Sequence, residues 1–129
     1  MSDTTDQPRR LIVLGCTGSI GVNTLSVADH LTRNGTPIEV VGLAARSSTK
    51  TLIEQAKRFG VKHVAIADES SAKTLRDALP HAEVFAGHDA AFELVKRVPC
   101  TDVAAAIVGL AGLLPTVAAV ELGRRVHLS

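Results

Sequence analysis

Aromatic side chains are scarce in this sequence, which has three Phe and neither Trp nor Tyr. Proteins that bind single-stranded nucleic acid stack bases on such side chains, so the composition argues against that class. The sequence also has no large excess of charge of either sign, because 14 basic and 13 acidic residues leave a formal net charge of +1. A nearly neutral chain offers no strong electrostatic attraction to nucleic acid or to an anionic membrane surface. We therefore expect neither as a partner.

Cysteines are equally few, and neither Cys16 nor Cys100 has a second Cys or a His beside it at metal-ligand spacing. Isolated, reduced cysteines are typical of a cytoplasmic protein, and we predict no metal site in this chain. The sequence also lacks an apolar run of about 18 residues, so no transmembrane helix is predicted. Residues 1–8 are polar and lack the apolar segment of a signal peptide, and we expect them to form a disordered tail.

Two alternating kinds of apolar segment are present. Short β-branched runs alternate with segments in which apolar residues recur every three or four positions, and Gly, Pro or Asn separate them. The predicted strands are 10–14, 38–45, 63–67, 83–86, 103–108 and 124–129, and the predicted helices are 19–33, 49–59, 70–79, 88–98 and 113–122. This alternation predicts an α/β fold: one doubly wound, mainly parallel sheet with right-handed crossovers and helices on both faces. The 129 residues, 46% hydrophobic, suit a single domain.

The segment 15–21, GCTGSIG, lies between the first predicted strand and the first predicted helix. A diphosphate can reach the N–H groups of a helix's first turn only where no Cβ blocks it. In this interpretation Gly15 makes the tight turn, Gly18 admits phosphate oxygens, and Gly21 lets helix and strand pack closely. Ser19 is predicted to cap the helix. The spacing G-x-x-G-x-x-G is a variant of the dinucleotide fingerprint, and a purely structural turn is the alternative.

A second loop, AARSSTK at 44–50, follows the second predicted strand. Domains that bind NAD usually place a carboxylate here to accept hydrogen bonds from the ribose hydroxyls, and this loop has none. Arg46 can instead bind a 2′-phosphate, to which the hydroxyls of Ser47 and Ser48 can donate. The loop therefore favours NADP over NAD. The alternative is a solvated loop in which Ser48 or Thr49 caps the next helix.

The loop 109–112, GLAG, follows the fifth predicted strand. Ligands of doubly wound sheets bind beyond the carboxyl ends of the strands. This loop is predicted to lie at that edge, together with the segments 15–21 and 44–50. Its small residues either let a cofactor or substrate approach the backbone or allow tight helix packing, and both interpretations stay open.

Three blocks together resemble the 1-deoxy-D-xylulose 5-phosphate reductoisomerase family: LGCTGSIG at 14–21, VVGLAA at 40–45 and AAIVGLAGLLPT at 105–116. The second and third blocks are the more specific, because dinucleotide binding in general does not require them. The sequence departs from the family's usual pattern in two places. Cys16 stands where Ser is usual, and the loop 46–48 reads RSS where the family usually has Gly, then Lys or Ser, then Asn.

The resemblance implies that residues 9–129 are the family's Rossmann-like NADPH-binding domain. Such an enzyme isomerises 1-deoxy-D-xylulose 5-phosphate and reduces it to 2-C-methyl-D-erythritol 4-phosphate, a step of non-mevalonate isoprenoid biosynthesis. Its cofactor contacts would fall here on Thr17, Gly18, Ser19, Ile20, Arg46, Ser47 and Ser48.

The resemblance also implies that the sugar-phosphate site, the Mg or Mn ligands and the catalytic residues belong to a domain that this chain lacks. We therefore expect the chain to bind NADPH without turnover, and the full-length protein to be a homodimer. Two alternatives stay open. One is a complete NADP-binding regulatory module. The other is the cofactor domain of another reductase, such as a semialdehyde dehydrogenase, for which Cys100 is poorly placed as the catalytic Cys.

Overall fold

The structure, a computed structural model, describes residues 9–107 and 113–128. Its strands are β1 (Arg9–Leu14), β2 (Ile38–Ala45), β3 (His63–Ile66), β4 (Glu83–Ala86), β5 (Asp102–Ala105) and β6 (Arg125–Leu128). Its helices are α1 (Ser19–Arg33), α2 (Thr49–Phe59), α3 (Ala72–Ala78), α4 (Ala90–Arg97) and α5 (Leu113–Glu121). The predicted tail 1–8 and the predicted loop 109–112 lie outside the described residues.

The strands form a six-stranded sheet in the order β4-β3-β2-β1-β5-β6, and every neighbouring pair is parallel. The chain builds outward from β1 to β4 and then returns to place β5 on the other side of β1. This reversal confirms the doubly wound fold. It also puts the switch point, where such sheets bind ligands, at the carboxyl ends of β1 and β5.

Helices cover both faces of the sheet. One apolar cluster joins α1, α2 and α3 to the sheet through buried residues that include Leu25, Leu52 and Leu75. The other joins α4 and α5 to the opposite face through residues that include Leu94 and Ala119. Because both of their faces are covered, the central strands β1 and β2 need apolar side chains at consecutive positions, and this explains their unbroken hydrophobic runs.

The predicted ends of α1, α2, β2 and β4 agree with the structure. The predicted helix 70–79 is wrong at its start, because Glu69–Ser71 forms a 3₁₀ turn and α3 begins only at Ala72. Asp68 causes the difference, since its carboxylate accepts hydrogen bonds from the backbone N–H and the hydroxyl of Ser70 at 3.1 and 2.7 Å. Such an Asx turn competes with the α-helical hydrogen bonds.

Candidate functional site

A crevice of about 720 Å³ opens at the carboxyl end of the sheet, where the switch point predicts a ligand site. Several parts of the chain meet there, among them the glycine turn after β1, the loop after β2, the segment from the end of β4 into α4, and residues 106–107 after β5. Its lining includes Gly15, Thr17, Gly18, Arg46, His88 and Phe92.

Two of the three glycines in the turn are required by the fold itself. Gly15 has a φ of +78°, and a Cβ there would lie 2.8 Å from the carbonyl oxygen of Ala106. A Cβ on Gly21 would overlap the carbonyl oxygen of Gly15 and lie 2.6 Å from the Cα of Cys16. Gly21 therefore permits close packing of α1, as predicted, but the packing partner is the turn and not the strand.

Gly18 differs from the other two glycines. Its φ is −77°, and the nearest atom to a Cβ there would be the carbonyl oxygen of Gly15 at 3.7 Å. The fold thus has room for a side chain at this position. Because glycine has no side chain, the approach to the N-terminus of α1 is unobstructed at this position.

The N-terminus of α1 lacks a side-chain cap. Gly18 is the N-cap residue, so the prediction that Ser19 caps the helix is wrong: Ser19 is the first residue within it. The first turn also carries no acidic residue. A helix's first N–H groups have no partner within the helix, and they carry the positive end of its dipole. At α1 these groups are therefore available to an anion.

Arg46 lines the same crevice and is exposed. Within residues 9–107 and 113–128, no carboxylate lies within ion-pair distance of its guanidinium. Ser48 occupies the N-cap position of α2, yet its side chain makes no capping hydrogen bond, and the hydroxyl of Thr49 donates back to the carbonyl of Ser47 at 3.2 Å. The loop therefore presents a cation and a serine hydroxyl that capping does not use.

The structure brings only some of the predicted site residues together. Thr17, Gly18 and Arg46 line the crevice, whereas the side chain of Ile20, 47% exposed, lines a second cavity of about 560 Å³ beside β5 and β6. Ser19, Ser47 and Ser48 are exposed next to the lining residues in the chain.

Sequence reasoning missed several residues of this region, among them His88, Phe92 and Gln55. His88 and Phe92 line the crevice because β4 ends at the same edge as β1 and β2. The predicted parallel sheet could have indicated this position, since the strands of such a sheet end at one edge. Gln55 of α2 donates from Nε2 to the carbonyl oxygen of Cys16 at 2.8 Å. No pattern in the sequence indicates that contact, because the two residues meet only through packing.

Neither cysteine has the environment of a nucleophile. Burial raises the pKa of the Cys16 thiol to about 12, and hydrogen bonds with the backbone at Cys16 and Ala44 offset only part of this effect. Burial also raises the pKa of Cys100. Among the described residues no group of His, Cys, Asp or Glu could hold a metal ion, and no helix is long and apolar enough to cross a membrane.

The family model for 1-deoxy-D-xylulose 5-phosphate reductoisomerase matches residues 11–129 of this sequence. The chain belongs to this family. The reductoisomerase of Glaesserella parasuis is 39% identical over 125 residues, which cover 94% of this chain and 31% of the relative. The resemblance seen in the three sequence blocks is thereby confirmed.

Solved structures of reductoisomerases share the fold. The enzyme of Zymomonas mobilis, solved in complex with NADPH, superposes with a TM-score of 0.84 at 41% identity, over 95% of this chain and 32% of that one. A DOX-P reductoisomerase in complex with NADPH, fosmidomycin and magnesium gives a TM-score of 0.81 at 26% identity, over 92% and 29%. This chain therefore spans about a third of the length of its relatives.

Proposed function

We propose that this chain is the NADPH-binding domain of a 1-deoxy-D-xylulose 5-phosphate reductoisomerase. The observation that carries the proposal is that two features face one crevice: the open N-terminus of α1 at Gly18, and the guanidinium of Arg46, which has no carboxylate partner among the described residues. A dinucleotide phosphate carries two separated anionic groups, a diphosphate and a 2′-phosphate, and the crevice offers a binding group for each. The Zymomonas relative, which matches nearly the whole chain, was solved with NADPH.

The residues present suit this cofactor. Gly18 and the first-turn N–H groups of α1, together with the hydroxyls of Thr17 and Ser19, would hold the diphosphate. Arg46 would bind the 2′-phosphate with a pair of charge-assisted hydrogen bonds. Ser47 and Ser48, the other two predicted contacts in this loop, would donate to the same phosphate, and Ile20 would contribute its backbone N–H. NADPH, when bound, supplies the hydride for the reduction.

The full-length protein would isomerise 1-deoxy-D-xylulose 5-phosphate and reduce it to 2-C-methyl-D-erythritol 4-phosphate. The sugar phosphate and a Mg²⁺ or Mn²⁺ ion would bind to parts of the family protein that this chain does not span. The family resemblance supports a cytoplasmic homodimer, and the two free cysteines suit a reducing compartment. Light scattering on the full-length protein would test the dimer.

The decisive test is a calorimetric titration of the chain with NADPH and with NADH, repeated on Arg46→Ala. We expect NADPH to bind more tightly, and Arg46→Ala to weaken NADPH about tenfold to a hundredfold, because charge-assisted hydrogen bonds are lost. NADH, which lacks the 2′-phosphate, should be little affected. Arg125→Ala is the matched control, since Arg125 is exposed at the amino end of β6, away from the crevice. Equal affinities for the two nucleotides in the wild type would contradict the NADP assignment.

A further inference from the structure

Gln55 connects the two loops that form the proposed cofactor site. It lies in α2, the helix that begins directly after the loop 46–48, and its side chain reaches the glycine turn across 39 positions of sequence. Nε2 donates to the carbonyl oxygen of Cys16 at 2.8 Å. The backbone N–H of Cys16 donates to the carbonyl oxygen of Ala44 at 3.0 Å, so hydrogen bonds hold this residue on both sides.

The amide of Gln55 can take only one orientation here. If the amide were flipped, Oε1 would face the carbonyl oxygen of Cys16, and two acceptors would oppose each other. In the observed orientation, Oε1 is buried and has no hydrogen-bond partner among the described residues. A buried acceptor without a donor is unfavourable, and native structures rarely keep one without a compensating reason.

The hydrogen bond also determines where the next backbone N–H points. The peptide between Cys16 and Thr17 is trans and planar, so its C=O and N–H point in opposite directions. Because Gln55 holds the carbonyl towards α2, the N–H of Thr17 points away from α2. Thr17 lines the crevice, and no acceptor in the described part of the chain pairs with its N–H.

We propose that Gln55 is a positioning residue for cofactor binding, which aims the N–H of Thr17 at the diphosphate by holding the Cys16 carbonyl. The inference rests on the proposed function, since it assumes that a dinucleotide occupies the crevice. Gln55 does not itself touch the cofactor. It keeps a donor in the geometry that the diphosphate requires before the ligand arrives, which reduces the ordering cost of binding.

The test compares Gln55→Met, which keeps the length of the side chain but cannot donate, with Glu54→Met, an exposed neighbour on the same helix. Each variant is titrated with NADPH and with 2′-AMP, a ligand that carries the 2′-phosphate but no diphosphate. We expect Gln55→Met to weaken NADPH about tenfold and to leave 2′-AMP within about twofold, while Glu54→Met changes neither.

The same titrations, read by ¹⁵N NMR, should show a large NADPH-induced shift of the Thr17 amide in the wild type and a smaller one in Gln55→Met. NADPH binding at wild-type strength in Gln55→Met would overturn the proposal. An equal loss of NADPH and 2′-AMP would overturn it too, because it would indicate a general structural role. If the wild type itself binds no NADPH, the proposed function fails, and the role of Gln55 fails with it. If the wild type binds NADPH and Gln55→Met binds it equally well, only the role of Gln55 fails.

Discussion

The three glycines after β1 are alike in sequence but differ in what surrounds a Cβ at each position. We predict that Gly18→Ala lowers the free energy of unfolding by only about 1 kcal/mol, because Ala is a poorer N-cap residue than Gly but its Cβ would meet no close atom. The same substitution should weaken NADPH binding at least about tenfold, since the added methyl group would lie where the proposed site receives the phosphate oxygens. Urea unfolding and calorimetric titration measure the two effects.

Gly21→Ala is the matched comparison and should behave in the opposite way. Its Cβ would overlap backbone atoms of the turn, which cannot move aside as a flexible side chain can. We predict a loss of about 3 kcal/mol of stability, as for severe overpacking, detectable in the same urea experiment. If Gly18→Ala destabilised the protein as much as Gly21→Ala, Gly18 would be a structural glycine.

The cysteines allow a prediction that needs no substitution. At pH 8 a thiol with a pKa of about 12, the value for Cys16, is ionised in only about one molecule in ten thousand. We therefore expect a thiol reagent such as DTNB to modify the folded protein far more slowly than the urea-unfolded protein, in which both cysteines react freely. Rapid labelling of Cys16 in the folded protein would show that the glycine turn opens.

At the scale of elements, one buried carboxylate ties three strands together. Asp102, at the start of β5, is only 4% exposed. It accepts from Arg9 of β1 at 3.0 Å, from His127 of β6 at 2.8 Å, and from the hydroxyl of Thr101 at 2.6 Å. Burial alone would raise the pKa of Asp102, but the hydrogen bonds from His127, Thr101 and Arg9 outweigh it and hold the pKa below its usual value.

The lowered pKa of Asp102 makes stability depend on pH. The folded state favours the ionised carboxyl, so its stabilisation is present above the pKa of the unfolded chain, about 4, and is lost as the pH falls towards the folded pKa. We predict that Asp102→Asn costs about 2 kcal/mol at pH 7 and that the difference from wild type shrinks as the pH falls below about 4.

Asp77→Asn serves as the control in the same urea experiments. Asp77 forms an exposed i,i+4 pair with Lys73 at 2.9 Å, and exposed pairs of this kind contribute at most about 0.5 kcal/mol. Asp102→Asn and Asp77→Asn should therefore differ clearly at pH 7. A pH-independent effect of Asp102→Asn would mean that lost packing, rather than lost charge, causes it.

At the scale of the whole molecule, the proposed cofactor site exists only in the folded chain. The glycine turn, the loop at Arg46 and the start of α4 are far apart in sequence and meet at one crevice. A ligand that binds only the native state stabilises it by mass action. We predict that NADPH at about a hundred times its Kd raises the free energy of unfolding by about 2.7 kcal/mol, visible as a higher Tm.

NADH at the same concentration should raise the Tm less, because the 2′-phosphate contacts are missing. The comparison also has an internal control, since Arg46→Ala should bring the NADPH shift down to that of NADH. A Tm that does not respond to either nucleotide would argue that the crevice binds neither.

The sequence predicted most elements well, and particular residues show why. The ends of α2 were predictable because Ser48 and Gly60 bracket an apolar face of helical period, and Gly60 adopts the left-handed conformation expected of a glycine after a helix. The start of α3 was predicted wrongly because a local side-chain bond of Asp68 competes with the helix. The apolar spacing of residues 70–79 favours an α-helix, whereas the Asp68 side chain favours a turn at Ser70. The spacing of residues in the sequence does not show which of the two prevails.

The α/β class, the glycine turn and the basic second loop follow from the amino-acid sequence alone, because they depend on local periodicity and on neighbouring residue types. The sequence does not reveal that a Cβ fits at Gly18 but not at Gly21, that Gln55 holds the Cys16 carbonyl, or that Asp102 joins Arg9 to His127. These contacts follow from the folded chain, because each depends on distances between segments that parallel strand pairing and helix packing bring together.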